Sequence, residues 1–469
     1  MASKPHIILI MSDDQGWGDV AYNGNATVQT PHLDAMAAEG VRLDRFYAAA
    51  PVCSPTRASC LTGRHPFRVN IPWAGDGHLP HEEITIAGAL KTAGYATGHF
   101  GKWHVGQLSK TIKQSDFPVP ADPALYSPPW IHGFDECFST ESMMPTYNPY
   151  YHDCGPIGTP EYRFVMDRPV EFGDTSGTRW NGLYWTGPGQ IADENLAGDD
   201  CAVLVDRALE FIERQLDADR PVFTCIWFHT PHTPVVAGND MRALYPELTM
   251  EEQHWFGCLS AMDLQVGRVR QFLRDKGVAD DTVLWFCSDN GPSYVHDMNS
   301  AGPFRGKKAT LLEGGIRVPG IVEWPAQLEG GRVIDAPVCT SDFYPTLTRI
   351  AGVEMPQQPV LDGIDVRPIL SGQQPRRQAA IGFQSPSGNQ ATSTADDDAS
   401  LQLAWSDDDY KLLSMDSGET WQLYAINDDQ GEVDDLAGAH PDRVAQMQGE
   451  LMAWRQSCAQ SAAGGDYTE

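Results

Sequence analysis

The chain of 469 residues contains no run of 18 consecutive apolar residues, so it offers no transmembrane helix. The apolar run 7–11 is too short for the core of a secretory signal, and no signal peptide is visible. Cations are scarce: 33 Lys and Arg face 63 Asp and Glu, a formal net charge of −30. Such acidity excludes nucleic acid and anionic lipid membranes as broad-surface partners, because both require a basic face. If the ligand is itself an anion, the few cations must be gathered at one place. The ten cysteines form no C-x-x-C pair, which argues against zinc-ribbon and thioredoxin-type chemistry. Their spacing sets no disulfide framework, and most read as small buried hydrophobes. There is no internal repeat. What is present is 41% hydrophobic and 20% charged residues, enough for a large core and too little charge for a disordered chain.

Strand and helix signals alternate along the chain. Residues 7–11 are continuously apolar, as in a strand buried on both faces. Thr30 and Pro31 suit the start of a helix with Leu33, Met36 and Ala37 on its apolar side and Gly40 at its end. Segments 41–47, 95–100, 222–228 and 282–287 read as strands; 86–92, 203–216 and 259–276 read as helices. This rhythm predicts an α/β fold with a large, mostly parallel (mixed) sheet between helices, and ligands at the carboxyl ends of the strands. Residues 117–195 break the rhythm with Trp130, Tyr147, Tyr150, Tyr151, Trp180, Tyr184 and Trp185, and read as an ordered excursion. Residues 385–400, with Asp396, Asp397 and Asp398, read as a polar surface loop. Beyond it, 401–405, 410–414 and 420–424 look like short antiparallel strands and 442–457 like a terminal helix. The division is therefore a large α/β unit over 1–375 and a smaller α+β unit over 376–469.

Four clusters carry chemistry. The first strand delivers Asp13 and Asp14, and the strand at 282–287 delivers Asp289 and Asn290. Three carboxylates and an amide oxygen make a hard ligand set suited to Ca²⁺ or Mg²⁺ and not to zinc. Cys53-Ser54-Pro55-Thr56-Arg57 places a cysteine where Pro55 opens a helix, so the helix N-terminus would favour negative charge on it. A buried structural cysteine is the plain alternative. Lys102 and His104, two apart after the strand at 95–100, can point to one side of a pocket. His229 and His232 follow the strand at 222–228, and Lys307 and Lys308 precede Glu313-Gly314-Gly315.

Together these segments resemble the type I, formylglycine-dependent sulfatases of the alkaline phosphatase-like superfamily. C-S-P-T-R fits the family's C-x-P-x-R motif, and S-D-D-Q-G-W-G-D, G-K-W-H-V-G, S-D-N-G and K-A-T-L-L-E-G-G-I-R-V-P stand in the expected order. Trp421-Gln422-Leu423-Tyr424 with Asn427-Asp428-Asp429 resembles the C-terminal pattern. The resemblance implies an alkaline phosphatase-like fold and hydrolysis of sulfate monoesters. It implies that a maturation enzyme converts Cys53 to formylglycine, whose hydrated form is the nucleophile. Asp13, Asp14, Asp289, Asn290 and residue 53 would hold a divalent cation, Ca²⁺ in most members, with Mg²⁺ an alternative. Arg57 and Lys102 would hold the nucleophile, and His104 would assist breakdown of the intermediate. Lys308 and His232 would contact the sulfate, with His232 protonating the leaving oxygen. Lys308 is preferred to Lys307 because it lies five residues before Glu313. His229 is either structural or a substrate contact. A secreted or periplasmic site of action is implied, with a cytoplasmic one left open.

These roles match what the reaction demands: a strong nucleophile, charge stabilisation at the equatorial oxygens, and a proton for the leaving alcohol. A phosphate- or phosphonate-ester hydrolase is the nearest alternative; no second His/Asp cluster of the two-metal kind is visible. A catalytically dead carbohydrate-binding protein is the more distant one. The aromatic excursion suggests sulfated carbohydrate as substrate, at chain ends or in oligosaccharides, with Trp180, Tyr184 and Trp185 helping to build the leaving-group pocket. From Arg376 onward 17 acids face 5 bases, a surplus that favours solubility and repels long polyanions.

Overall fold

The computed structural model describes residues 4–112, 122–152, 154–155, 163–293, 298–355, 358–387 and 401–467. Ten strands form one mixed sheet: β1 (His6–Ser12), β2 (Val41–Leu43), β3 (Ala96–Lys102), β4 (Glu136–Thr140), β5 (Tyr184–Gly187), β6 (Gln190–Ala192), β7 (Val222–Trp227), β8 (Thr282–Ser288), β9 (Gly320–Glu323) and β10 (Arg332–Ile334). Their spatial order is β10-β2-β9-β8-β1-β7-β3-β4-β5-β6. The centre, from β8 through β1, β7 and β3 to β4, is wholly parallel. The antiparallel pairs lie toward the two edges, at β8–β9, β9–β2, β4–β5 and β5–β6. Five strands therefore end at the same edge, and the predicted α/β architecture is the one observed.

The unbroken apolar runs have a direct cause. Along β1, Ile7, Leu9 and Met11 enter one apolar cluster while Ile8 and Ile10 enter the other. Along β8, Val283, Trp285 and Cys287 oppose Leu284 and Phe286 in the same way. A strand covered on both faces has no side to give to water, so polar alternation is lost. Helices α2 (Cys53–Thr62), α3 (Ile86–Thr92) and α6 (Phe343–Ile350) fill one side; α1 (Pro31–Glu39), α4 (Asp200–Asp217) and α5 (Met250–Asp275) fill the other. All ten cysteines are buried and free.

Some local expectations differ from the structure. Helix α5 begins at Met250, not near 259, because Thr249 and Glu252 form a reciprocal capping box. Thr30 precedes α1 but its side chain does not cap it. The cap comes from α5, where Asp263 accepts hydrogen bonds from His32 N at 3.1 Å and Leu33 N at 2.7 Å. The single strand expected over 41–47 is broken after Leu43; Phe46–Tyr47 pairs instead with Arg317–Val318 and Val338–Cys339 in a separate three-stranded sheet.

The C-terminal region holds a four-stranded antiparallel sheet, β11 (Ile381–Pro386), β12 (Leu401–Ser406), β13 (Lys411–Ser414) and β14 (Gln422–Tyr424), and the helix α7 (Pro441–Ala462). Ser385 and Pro386, read as loop, belong to β11, while Asp396, Asp397 and Asp398 lie outside the described residues, as does Phe117. Ile381, Phe383, Ala404, Leu413 and Tyr424 pack on Tyr47, Ala49, Leu311, Ile316 and Cys339, so the small sheet shares a core with the main body. No described helix is long and apolar enough to cross a membrane.

Candidate active site

The parallel register brings the four sequence clusters together at one sheet edge. Asp13 and Asp14 follow β1, Lys102 ends β3, His229 follows β7, and Asp289 follows β8. Two glycines make the approach possible. Gly101 has φ +111, and a Cβ there would lie 1.9 Å from Trp227 O on the neighbouring strand. A Cβ on Gly291 would lie 1.9 Å from Gly314 O, on the segment just beyond Lys308.

The carboxylates are held in opposed pairs. Asp13 Oδ2 accepts from Lys102 Nζ at 2.7 Å. Asp289 Oδ2 accepts from Arg57 Nε at 3.1 Å and Nη2 at 2.6 Å. Asp14 Oδ1 accepts from Lys308 Nζ at 2.6 Å and from Asn290 Nδ2 at 2.7 Å, and Asp14 N donates to Asp289 Oδ1 at 3.1 Å. Arg57 Nη1 donates to Lys102 O at 2.9 Å, and its guanidinium lies 5.2 Å from the Trp227 ring. Cys53 is the first residue of α2, and its sulfur lies within 4.8 Å of carboxylate oxygens of Asp13 and Asp289. His232 Nδ1 donates to Thr233 O at 2.8 Å, so Nε2 faces Asp14 Oδ2, 3.6 Å away. His104, with φ +58, has its backbone N bonded to Glu141 O at 3.1 Å.

Three carboxylates face three cations, and the cluster is close to neutral by itself. Yet Asp13 Oδ1 and Asn290 Oδ1 are buried with no hydrogen-bond partner. Buried oxygens are rarely left so, because desolvation without a bond costs about 1–3 kcal/mol each. Both belong to the oxygen-donor set expected of a hard divalent cation, so the residues present fit one. The charge distribution agrees. Burial and the neighbouring Asp13 push Asp289 up to about 6 despite Arg57. Burial acts the same way on Asp14, but Lys308, His232 and Lys102 hold it well below the usual carboxylate range. Burial lowers His232 to about 4 against the pull of Asp14, and holds His104 well below the usual histidine range, with Lys102 adding to the effect. Both imidazoles are neutral at pH 7.

Two expectations need correction. The helix N-terminus was expected to favour a Cys53 thiolate; burial instead pushes the thiol up, and Lys102 and Lys308 do not reverse it. An unmodified Cys53 is a protonated thiol and a poor nucleophile. The aromatic platform also fails. Trp180, Tyr184 and Trp185 are 3%, 0% and 1% exposed, packed into the two cores, and have no face left for a sugar. His229 resolves as structural: it is fully buried, with Nδ1 2.6 Å from Asp200 Oδ2 and Nε2 2.7 Å from Thr140 Oγ1. Lys307 is exposed while Lys308 reaches the site, in keeping with the choice between them. Sequence reasoning missed Asp200 and Thr140, whose pairing with His229 carries no linear signal, and Trp227 beneath Arg57.

Residues 5–353 match the family model described as Sulfatase. The chain belongs to the sulfatase family. Residues 306–457 also match the model described as N-sulphoglucosamine sulphohydrolase, C-terminal. Among curated sulfatases, the chain is 34% identical over 441 residues to the steryl-sulfatase of Mus musculus, covering 80% of this chain and 66% of that one. It is 32% identical over 397 residues to the N-acetylgalactosamine-6-sulfatase of Canis lupus familiaris, covering 79% and 66%. The chain thus spans about two thirds of the length of these relatives. Among solved structures, that of Ps i-CgsB has a TM-score of 0.76 at 26% identity, covering 98% of this chain and 94% of that one. The phosphonate monoester hydrolase of Agrobacterium radiobacter shares the fold, with a TM-score of 0.63 at 21% identity over 97% and 96% of the two chains.

Proposed function

We propose that this sulfatase-family protein hydrolyses sulfate monoesters of carbohydrates, using a divalent cation, with Ca²⁺ the first choice and Mg²⁺ the second, and a Cys53 converted to formylglycine. The observation that carries the reading is the pair of buried oxygens without a hydrogen bond, Asp13 Oδ1 and Asn290 Oδ1, in a cluster where Cys53 lies close to Asp13 and Asp289 and where Arg57, Lys102 and Lys308 bond the carboxylates. Asp13, Asp14, Asp289, Asn290 and residue 53 would hold the cation, which would supply Lewis acidity. Formylglycine would supply a hydrated-aldehyde nucleophile that the protonated thiol cannot replace.

The chain's own side chains do the rest. Lys102 and Arg57 hold Asp13 and Asp289 so that residue 53 meets a fixed positive field at the start of α2. Lys308, 15% exposed at its side chain, is the cation open to an incoming sulfate oxygen. Its contact with Asp14 keeps it charged, and burial does not overcome this. His232, whose Nδ1 proton is held by Thr233 O, presents an unprotonated Nε2 to the site; it would take up a proton there as the anionic ester binds and pass it, as imidazolium, to the leaving oxygen. His104, neutral and buried, is suited to accept a proton when the intermediate breaks down. A divalent cation held there would add two positive charges to this near-neutral balance, which would suit a monoanionic ester.

Sulfated carbohydrate is favoured by the relationship to an N-acetylgalactosamine-6-sulfatase. In this reading 1–375 is the catalytic unit and 376–469 a supporting subdomain, and the protein works in the periplasm or outside the cell after a maturation enzyme has acted on Cys53. The test compares an aryl sulfate with the matching aryl phosphate, then screens defined sulfated mono- and oligosaccharides, on metal-replete, formylglycine-bearing protein. Sulfate release from sugars and a large preference for the sulfate ester are expected. A preference for the phosphate ester would refute the proposal and favour the chemistry of the phosphonate hydrolase that shares the fold.

A further inference from the structure

Residues 305–312, which carry Lys308, form no helix or strand. Among the described residues, the segment around Lys308 is bonded from three sides. Lys308 N donates to Pro292 O at 2.9 Å, beside the Asp289-Asn290 pair. Ala309 N donates to Pro51 O at 2.8 Å, two residues before Cys53. The third hold comes from the C-terminal sheet. Gln402, on β12 and 2% exposed, donates from Nε2 to Ala309 O at 2.7 Å and accepts at Oε1 from Leu311 N at 2.9 Å. One side-chain amide thus acts as a piece of strand edge, pairing with residues 309 and 311.

The segment needs such a hold. Ala309 has φ +72, in the left-handed region that costs a non-glycine residue about 1–2 kcal/mol. A backbone in that state persists only where its surroundings over-determine it. Ala309 also packs with Val52 and Trp73, so its conformation is read on both flanks of the site. The residue before it is Lys308, whose Nζ must meet Asp14 and, in the reading above, the sulfate.

We infer that Gln402 is a positioning residue for Lys308, and that the C-terminal sheet thereby completes the sulfate-binding site. The inference rests on the proposed sulfatase chemistry for its consequence, though not for its geometry. Without the amide, Ala309 relaxes toward negative φ and Lys308 swings away from Asp14. Gln402 touches no reacting atom; its effect passes through the loop.

The test uses metal-replete, formylglycine-bearing protein with inorganic sulfate as the probe. Gln402→Ala and Gln402→Glu are compared with Leu423→Ala, a change on the far side of the same small sheet, against α7. Hydrogen exchange of amides 305–312 should speed up about tenfold in both Gln402 variants. The sulfate inhibition or binding constant should weaken about tenfold, and kcat/KM should fall with it. Leu423→Ala should lower the melting temperature and leave both readouts alone. Wild-type exchange and sulfate affinity in Gln402→Ala would overturn the inference, as would the same losses in Leu423→Ala. Should Gln402→Ala not fold, Gln402→Glu decides, since it keeps the acceptor for Leu311 N and loses the donor to Ala309 O. If the wild type cleaves no sulfate ester, the functional proposal falls while the exchange measurement still judges Gln402.

Discussion

Replacing Lys411 by methionine should cost this protein about 3–5 kcal/mol, the usual penalty for removing one partner of a buried ion pair. Lys411 Nζ lies 2.8 Å from Glu313 Oε1 and 2.8 Å from Glu432 Oε1, with all three side chains fully buried. It joins β13 to the segment five residues beyond Lys308. Burial opposes ionisation of Glu313, yet Lys411 and Arg317 hold it below its usual range; burial raises Glu432 in spite of Lys411. With the lysine gone, Glu313 keeps Tyr47 Oη at 2.9 Å and the Arg317 guanidinium at 3.6 Å, while Glu432 Oε2 keeps only Glu313 N among these groups. Two like charges would face each other in a dry core. Urea unfolding followed by tryptophan fluorescence measures the loss directly, and a melting-temperature drop of roughly 3–5 °C should accompany it. The penalty should shrink as pH falls, because the orphaned carboxylates neutralise. Glu313→Gln and Glu432→Gln added to Lys411→Met should recover most of the loss. A cost below about 1 kcal/mol, or a triple variant no more stable than the single one, would refute the reasoning.

Three further outcomes are expected. Lys308→Met should lower kcat/KM by about a hundredfold or more, the scale of one lost charge-stabilising donor, while Lys307→Met stays within about twofold; steady-state kinetics on one aryl sulfate decides. Trp180→Ala and Trp185→Ala should each destabilise by about 3–5 kcal/mol, seen in urea melts, and leave KM of the residual folded enzyme near wild type. Asp263, raised to about 7 by burial against its bonds to Leu33 N and His32 N, holds its proton in the folded state over a range where the unfolded chain has lost it. Folding stability from this group therefore falls as pH rises from about 4 to 7, by up to about 1.4 kcal/mol per pH unit. Asp263→Asn should remove that slope, so that its stability relative to wild type improves between pH 5 and pH 7; a constant difference would count against it.

The strands at the sheet centre were legible because each is buried on both faces, which leaves an uninterrupted apolar run in β1, β7 and β8. Site residues were legible for a related reason. Parallel strands end at one edge, so polar residues at or just beyond those ends, Asp13, Lys102, His232 and Asp289, converge. What stayed hidden depends on partners distant in sequence. Asp263 caps α1 from another helix, Gln402 clamps a loop 91 residues away, and Asp200 meets His229 only once α4 is packed. The aromatic excursion misled because composition reports ring count and not ring exposure. Trp180 and Trp185 contribute apolar area to the core, which a sequence cannot distinguish from area offered to a ligand.

Cys53 is 1% exposed, wedged at the head of α2 beneath the Lys308 segment and between two carboxylates. A modifying enzyme must enclose its target residue in its own cleft, and a side chain so deeply enclosed cannot be presented that way. If Cys53 is converted to formylglycine as proposed, its burial would place that conversion before the strand edges close, while the chain is still extended. The finished fold then acts as a seal on that chemistry. On the proposed reading, protein that folded first would stay a thiol, and the activity of a preparation would depend on whether conversion preceded folding.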